Sequence, residues 1–202
     1  MSAQATIPVN VNEQAVGYIV NAGVSVENQE NIESLQKLLI EKHPGIVWAA
    51  PGPSLHVTLL DWLTPTSSYD MDKDALFASI QKEYMEAIIE SLRSQPPIQI
   101  TFDTLEVHPA AIIVRGHDNG AFQRIRSAFM SRVNLLPNTK QPPAIIHTTI
   151  CKFQEKSDLD KIRNTLLGTT VKFQETIKEF RLVRESQVYM LNFQTIKKFK
   201  LH

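Results

Sequence analysis

The chain has 202 residues and a formal net charge of zero, with 43% hydrophobic and 21% charged residues. This composition excludes a mostly disordered protein and is sufficient for one packed domain. The single cysteine excludes an internal disulfide framework and a four-cysteine zinc site. No apolar run reaches the roughly 20 residues of a membrane-spanning helix, and residues 1–6 lack a signal-peptide pattern, so we expect a cytoplasmic protein that binds no membrane.

The neutral total conceals an uneven distribution of charge. Residues 1–100 contain 5 Lys or Arg and 12 Asp or Glu, whereas residues 101–202 contain 16 and 9. The second half therefore offers cations to an anionic ligand, although two solvated surfaces of opposite charge would give the same distribution. The whole chain lacks the strongly basic balance of proteins that coat nucleic acid.

In the first half of the chain, apolar spacing and proline positions predict six elements in order. The helices end where prolines follow, since proline cannot continue a helix. The predicted elements are a strand at 15–20, a helix at 29–43, a strand at 55–63, a helix at 72–93, and strands at 98–107 and 111–115.

The second half repeats the order helix, strand, helix, strand, strand. Its predicted elements are a helix at 119–136, a strand at 144–153, a short helix capped by Ser157, and strands at 171–183 and 188–199. An approximate internal repeat, 28–116 and 119–199, therefore predicts an α+β fold with a pseudo-twofold arrangement of two lobes. We expect a single bilobal domain over residues 1–202.

Two strands carry a histidine followed, two positions later, by a threonine. The first is His56-Val-Thr58 and the second is His147-Thr-Thr149. Residues i and i+2 of a strand project from the same face, so each strand has a polar face with imidazole and hydroxyl, opposite a mainly apolar face. A twofold relation between the lobes would bring the two polar faces to one cleft.

The spacing alone is weak evidence, because serine and threonine are common and a single histidine in a strand is more often structural. The evidence becomes stronger because both motifs lie in apolar strands, follow proline-containing loops and occupy the same place in the repeated unit. The pair therefore indicates a functional site.

The two motifs resemble the H-x-T/S signature of the 2H phosphoesterases, which include bacterial RNA 2′,3′-cyclic phosphodiesterases once named 2′-5′ RNA ligases. His56 and Thr58 match the first motif, and His147 and Thr149 match the second. Lys152 stands where many relatives have a basic residue. The resemblance implies two antiparallel sheets with helices on the outside, an active cleft between the lobes, and hydrolysis of 2′,3′-cyclic phosphates of RNA ends or small nucleotides, or of 2′,5′ linkages.

The resemblance also implies the roles of these side chains. One histidine activates water and the other protonates the leaving ribose oxygen, for which an ordinary pKa near 6.5 is suitable. Relatives that leave a 2′-phosphate suggest His56 as acid and His147 as base, although either assignment fits the pseudo-symmetry. Thr58 and Thr149 would donate to the phosphate oxygens, and Lys152 would add a charge. We expect no cofactor or metal, an RNA end or small nucleotide as substrate, and a monomer.

Two other functions compete with this one. In a non-catalytic binder, the same cleft would hold an RNA end or a phosphorylated nucleotide without turnover. In a metalloenzyme, His56 and His147 would be ligands, but only Asp61 lies in the same strand region and no second ligand stands at the usual spacing.

Several further side chains have two interpretations. Strict alternation places Cys151 on the His147 face and turns Lys152 away from it, although a buried thiol is the commoner state of a cysteine. Trp62, Phe153 and Tyr189 could stack on a nucleobase, although core packing is the commoner fate of aromatic residues.

Overall fold

The computed structural model describes residues 10–202, which form nine strands and four helices. The strands are β1 (Gln14–Gly23), β2 (Val47–Ala49), β3 (His56–Leu63), β4 (Ile98–His108), β5 (Ala111–His117), β6 (Ile146–Phe153), β7 (Phe173–Ile177), β8 (Glu179–Gln187) and β9 (Asn192–Lys200). The helices are α1 (Val26–Lys42), α2 (Lys73–Ser91), α3 (Ala121–Met130) and α4 (Leu159–Thr165). None of these four helices combines the length and the apolar character needed to cross a bilayer.

The strands form two antiparallel sheets, each covered by helices. The sheet of lobe one has the order β3-β1-β8-β9, and that of lobe two has the order β2-β6-β5-β4-β7. Helices α2 and α3 pack against each other and against lobe one, whereas α1 and α4 pack against lobe two. The predicted α+β, bilobal fold with two antiparallel sheets is confirmed.

The chain passes from one lobe to the other several times. Strand β4 belongs to lobe two although β3 belongs to lobe one, and β8 and β9 return to lobe one after β7. Each lobe is therefore built from both halves of the sequence. Large side chains from both lobes, among them Trp62, Phe102 and Phe153, are completely buried in one continuous apolar core.

Helix α3 is shorter than the predicted helix at 119–136, because it ends at Met130. The Ala128 carbonyl accepts hydrogen bonds from Ser131 Oγ at 2.9 Å and Arg132 Nη1 at 2.6 Å. Tyr84 donates its hydroxyl to the Asn134 carbonyl, 2.8 Å away. Side chains thus accept the role of the backbone N–H groups that would bond these carbonyls in a longer helix. Apolar spacing does not reveal these side-chain bonds, so it predicted a helix that was too long.

Three other expectations are corrected. Asp158, and not Ser157, caps α4, since its carboxylate accepts from Asp160 N at 2.9 Å. The predicted strand at 171–183 is divided at Lys178, because β7 joins lobe two and β8 joins lobe one. Strand β2 was not predicted: its three residues are too few to show a period and depend on pairing with β6.

Candidate functional site

Strands β3 and β6 lie next to each other where the two lobes meet, although they belong to different sheets. A cavity of about 250 Å³ opens between them. Its lining includes all five residues that the sequence analysis selected, His56, Thr58, His147, Thr149 and Lys152. We call this cavity the cleft.

Both strands contain a β-bulge at the same distance from their histidine. On β3, Thr58 pairs with Asn21 of β1 and Leu60 pairs with the neighbouring residue Val20, so Leu59 is an extra residue without a partner in the ladder. On β6 the register passes from Ile113–Thr149 to Ile112–Cys151, with Ile150 as the extra residue. Each extra residue lies three positions after the histidine, so the two motifs share their backbone geometry as well as their residue types.

The bulge corrects the expectation from strict alternation. After Ile150 the two faces of β6 exchange, so Cys151 is completely buried and Lys152 lines the cleft. The corresponding exchange on β3 leaves Leu60 buried and Asp61 half-buried. Sequence alternation cannot reveal a bulge, because the extra residue is defined by the pairing partner.

A buried polar side chain from a helix holds each bulge. On β3, Arg126 of α3 donates from Nε to the Leu59 carbonyl at 3.0 Å and from Nη2 to the Thr58 carbonyl at 2.7 Å. On β6, Gln36 of α1 donates from Nε2 to the Ile150 carbonyl at 2.8 Å. The Ile150 carbonyl also accepts from Ala50 N at 2.9 Å, so Gln36 adds a second bond at that bulge, whereas Arg126 binds two consecutive carbonyls of β3.

His56 is oriented by its own strand. Its Nδ1–H donates a hydrogen bond to the Ser54 carbonyl at 2.7 Å, which leaves Nε2 for chemistry. Desolvation lowers the pKa of His56 to about 4, and the cations Arg181 and Lys152 and the His147 ring act in the same direction. The Ser54 carbonyl opposes this shift only in part. His56 is therefore neutral in the free protein near pH 7.

His147 lies in a similar environment. Its Nδ1 is buried and has no hydrogen bond of good geometry within residues 10–202, although the Ile145 carbonyl, two residues upstream, is close enough to raise its pKa. Desolvation outweighs that carbonyl and, together with Arg126, lowers the pKa of His147. Both imidazoles are thus held below their ordinary pKa by burial.

The cleft has donors that are not used elsewhere. No hydrogen bond from another described residue reaches the hydroxyl of Thr58 or Thr149, and both side chains line the cavity. Lys152 Nζ lies 4.6 Å from the centre of the Tyr189 ring. Burial lowers the pKa of Lys152 to about 8, so this amine is mainly protonated at neutral pH.

Other residues that line the cleft carry no motif. Among them, Trp48 belongs to the short strand β2, Lys140 to the loop before β6, and Glu185 to β8. Tyr189, which was proposed for stacking, also lines it and lies 6.1 Å from Trp48 between ring centres. Trp62 and Phe153, proposed with it, are core residues. No local motif marks the missed residues, because tertiary folding alone brings them to the cleft.

Tyr189 has a positive φ of 63° and is followed by Met190 at 59°. This conformation is costly for side chains of their size and is found mainly where the surroundings enforce it. The Glu185 carboxylate accepts from Met190 N at 2.7 Å. Desolvation raises the pKa of Glu185 to about 7.

Within the part of the chain that the structure describes, no three His, Cys, Asp or Glu side chains converge as a metal site would require. No protein-family model and no curated protein matches the chain by sequence.

Several solved structures resemble the chain in fold. The protein TT0787 of Thermus thermophilus matches with a TM-score of 0.64 and 14% identity over 92% of this chain and 97% of that chain. A structure described as a phosphoesterase matches with a TM-score of 0.59 and 14% identity over 92% and 98% of the two chains. E. coli LigT in complex with phosphate gives a TM-score of 0.58 and 15% identity over 94% and 99%. The chain therefore has the fold of these proteins, as its resemblance to the 2H phosphoesterases predicts.

Proposed function

We propose that the chain is a metal-independent phosphodiesterase of the 2H type. Its substrates would be 2′,3′-cyclic phosphates of RNA ends or small nucleotides, or 2′,5′ linkages. One observation carries the proposal: two His-x-Thr motifs, with bulges at equivalent positions, line one cleft from two different lobes. LigT, which has the same fold, has been crystallised with 3′-AMP and with phosphate, and this supports a phosphate-bearing nucleotide as ligand.

The proposed reaction needs no group beyond the two imidazoles and water. His147 takes a proton from water as the water oxygen bonds to phosphorus. The bond between phosphorus and one ribose oxygen breaks, and His56 gives its proton to that oxygen. Each turnover leaves His147 protonated and His56 neutral, and proton exchange with solvent restores the starting state. With His56 as acid beside the 3′ oxygen, the product carries a 2′-phosphate.

The pKa shifts add a requirement to this assignment. Burial leaves both histidines neutral in the free protein near pH 7, whereas the acid must be protonated. A bound phosphate brings negative charge into the cleft and favours the imidazolium form. Substrate binding would therefore be accompanied by proton uptake at His56.

The remaining cleft residues have roles that fit a nucleotide phosphate. Thr58 and Thr149 would donate to the non-bridging oxygens, where negative charge increases in the transition state. Lys152 would neutralise part of the same charge. Tyr189 and Trp48 would provide an aromatic surface for a base, as single-strand nucleotide sites do.

The test is turnover of a small panel in the presence of EDTA. The panel contains 2′,3′-cyclic mononucleotides, an RNA oligomer with a cyclic phosphate end and a 2′,5′-linked dinucleotide. We expect His56→Ala and His147→Ala each to lower kcat/KM by about 10⁴-fold, and Thr58→Val or Thr149→Val by about 10²-fold. His117→Ala, an exposed histidine outside the cleft, is the matched control and should keep wild-type activity.

Each other outcome would reject a part of the proposal. Tight binding of the oligomer without turnover would favour a non-catalytic binder of RNA ends. Activity lost in EDTA and restored by a metal would favour the metalloenzyme. Activity that survives both histidine substitutions would place the reaction elsewhere, and a 3′-phosphate product would exchange the acid and base roles.

A further inference from the structure

A second cavity lies where the lobe-one strands β1, β8 and β9 meet β7 of lobe two. Its volume is about 310 Å³, and its lining includes Gly23, Arg181 and Lys198. Gly23 is the cross-strand partner of His56, so both residues present the same face of the sheet. A Cβ atom on Gly23 would lie 3.4 Å from Arg181 Nη2, which places the guanidinium on this same face. The cavity is therefore a neighbour of the cleft.

Arg181 belongs to a row of cross-strand partners that begins at a cleft threonine. Thr58 pairs with Asn21, Asn21 pairs with Arg181, and Arg181 pairs with Lys198. Two strand spacings, about 10 Å, separate the backbones of Thr58 and Arg181. The row leads from the proposed position of the reacting phosphate towards the outer edge of the sheet.

Donors in the middle of this row are without acceptors. Arg181 Nε donates to Asn21 Oδ1 at 2.8 Å. Arg181 Nη2 and Asn21 Nδ2 are both buried without a hydrogen-bond acceptor in residues 10–202, and Asn21 is completely buried. Such unsatisfied buried groups are costly in a folded protein, so these donors call for a partner that residues 10–202 do not supply.

The carboxylates of the second cavity form no ion pair with Arg181, although Glu179 is near enough to favour the charged form of the guanidinium. Glu179 is paired with Lys198 at 2.7 Å. Glu175 accepts from the backbone and hydroxyl of Ser25, both at 2.9 Å. No carboxylate of the described chain lies within 4.0 Å of the Arg181 guanidinium, whose carbon instead lies 4.8 Å from the centre of the Phe193 ring.

We propose that Arg181 binds the phosphodiester that joins the terminal nucleotide of an RNA strand to the nucleotide before it. The guanidinium presents its free N–H groups to phosphate oxygens as charge-assisted donors, and Phe193 next to it provides a surface for the preceding base. The inference rests on the proposed function and makes it more specific, because the preferred substrate is an RNA oligomer and not a mononucleotide.

The experiment compares an RNA trinucleotide that ends in a 2′,3′-cyclic phosphate with the cyclic mononucleotide of the same terminal base. We expect Arg181→Gln to lower the ratio of their kcat/KM values, trinucleotide over mononucleotide, by at least about tenfold. Asn21→Asp should lower it too, because the new carboxylate neutralises the arginine while the arginine stays in place. The control is Lys197→Gln, since Lys197 is exposed and pairs with Leu182 on the opposite face.

A second measurement separates this inference from the proposed function. Fluorescence anisotropy gives the affinity for a labelled 3′,5′-linked trinucleotide with a 3′-phosphate, which has neither the cyclic phosphate nor the 2′,5′ linkage that the proposed reaction cleaves. Weaker binding by Arg181→Gln, with no turnover by any variant, would support the inference and reject the proposed reaction. An unchanged ratio of kcat/KM, or an equal loss on both substrates, would overturn the inference and leave the proposed function in place.

Discussion

At the scale of single residues, desolvation controls the protonation of the cleft. Burial lowers the pKa of His56, His147 and Lys152, and it raises that of Glu185. All four shifts favour the neutral form of the group. The free cleft therefore keeps its charge low, and an anionic ligand would favour the protonated forms of His56, His147 and Lys152.

This protonation has a consequence for stability. The pKa of His56 falls from about 6.5 to about 4 on folding, so between these values the unfolded chain binds more protons. The contribution of His56 to the free energy of unfolding is therefore fully present above about pH 6.5, and it is lost as the pH falls from that value towards about 4. We expect His56→Gln to lose less free energy of unfolding than wild type between pH 7 and pH 5, as measured by urea denaturation. Thr58→Val removes no titrating group from the same cleft, so its free energy of unfolding should depend on pH as that of wild type does. If His56→Gln lost as much free energy of unfolding as wild type over this range, the burial argument would be contradicted.

Under the proposed function, we expect Lys152 to make ligand binding sensitive to alkaline pH. Because its pKa is lowered to about 8, the amine loses its charge as the pH rises from 7 to 9. We expect the affinity for 3′-AMP, measured by calorimetry, to fall about five- to tenfold over this range. Lys152→Arg should be nearly independent of pH, since arginine stays protonated. Equal pH dependence in both proteins would show that Lys152 does not contact the phosphate.

The sequence revealed the cleft residues that belong to a motif and missed those that do not. His56, Thr58, His147 and Thr149 could be found because two short patterns occur at matching places of a repeat. Trp48 and Lys140 carry no such pattern, and Arg181 becomes notable only when its cross-strand partners are known.

At the scale of elements, the matched bulges are the features that shape the cleft. Each one interrupts the alternation of its strand, and each is held by a helix side chain, Arg126 on β3 and Gln36 on β6. The helices therefore do more than cover the sheets, because they fix the residues that follow the two motifs.

Removal of Gln36 tests this support. Its Nε2 donates to the Ala50 carbonyl at 2.7 Å and to the Ile150 carbonyl at 2.8 Å, and Gln36 is buried. We expect Gln36→Met to lower the free energy of unfolding by about 1–3 kcal/mol and to weaken 3′-AMP binding, because Lys152 loses its fixed position. Gln123→Met, an exposed glutamine on α3, should change neither quantity. Lower stability with unchanged affinity would limit the role of Gln36 to the core.

Most long elements could be predicted, and the errors have a common cause. The apolar period of α2 and the proline that follows it defined a helix close to the observed Lys73–Ser91. Helix α3, the division between β7 and β8, and strand β2 depend on side-chain contacts or pairing partners that are distant in sequence. Local periodicity contains no information on such contacts.

At the scale of the whole molecule, the repeated passage of the chain between lobes joins them into one folding unit. Both lobes contain strands from each half of the sequence, and one apolar core extends through both. We propose on this basis that the chain is a single domain, in agreement with the expectation from its length. The proposed repeat units, 28–116 and 119–199, would not fold separately.

The two tryptophans provide a test of this unity. Trp48 lies on β2 in lobe two, and Trp62 lies on β3 in lobe one. In Trp48→Phe the fluorescence reports on lobe one, and in Trp62→Phe it reports on lobe two. We expect the urea midpoint from fluorescence to coincide with that from far-UV circular dichroism in each variant, as a single cooperative transition requires. Separate midpoints within one variant would mean that the lobes unfold independently.

The two bulges are matched in place but not in the residue that follows them. Two positions after the extra residue, β3 has Asp61 where β6 has Lys152. A cleft with perfect twofold symmetry would accept a strand equally well in either direction, because reversal would exchange identical surroundings. The opposite charges at these positions remove that equivalence. Lys152 lines the cleft and Asp61 does not, so under the proposed function only the β6 side would offer a cation to the phosphate, and a bound strand would have one preferred direction.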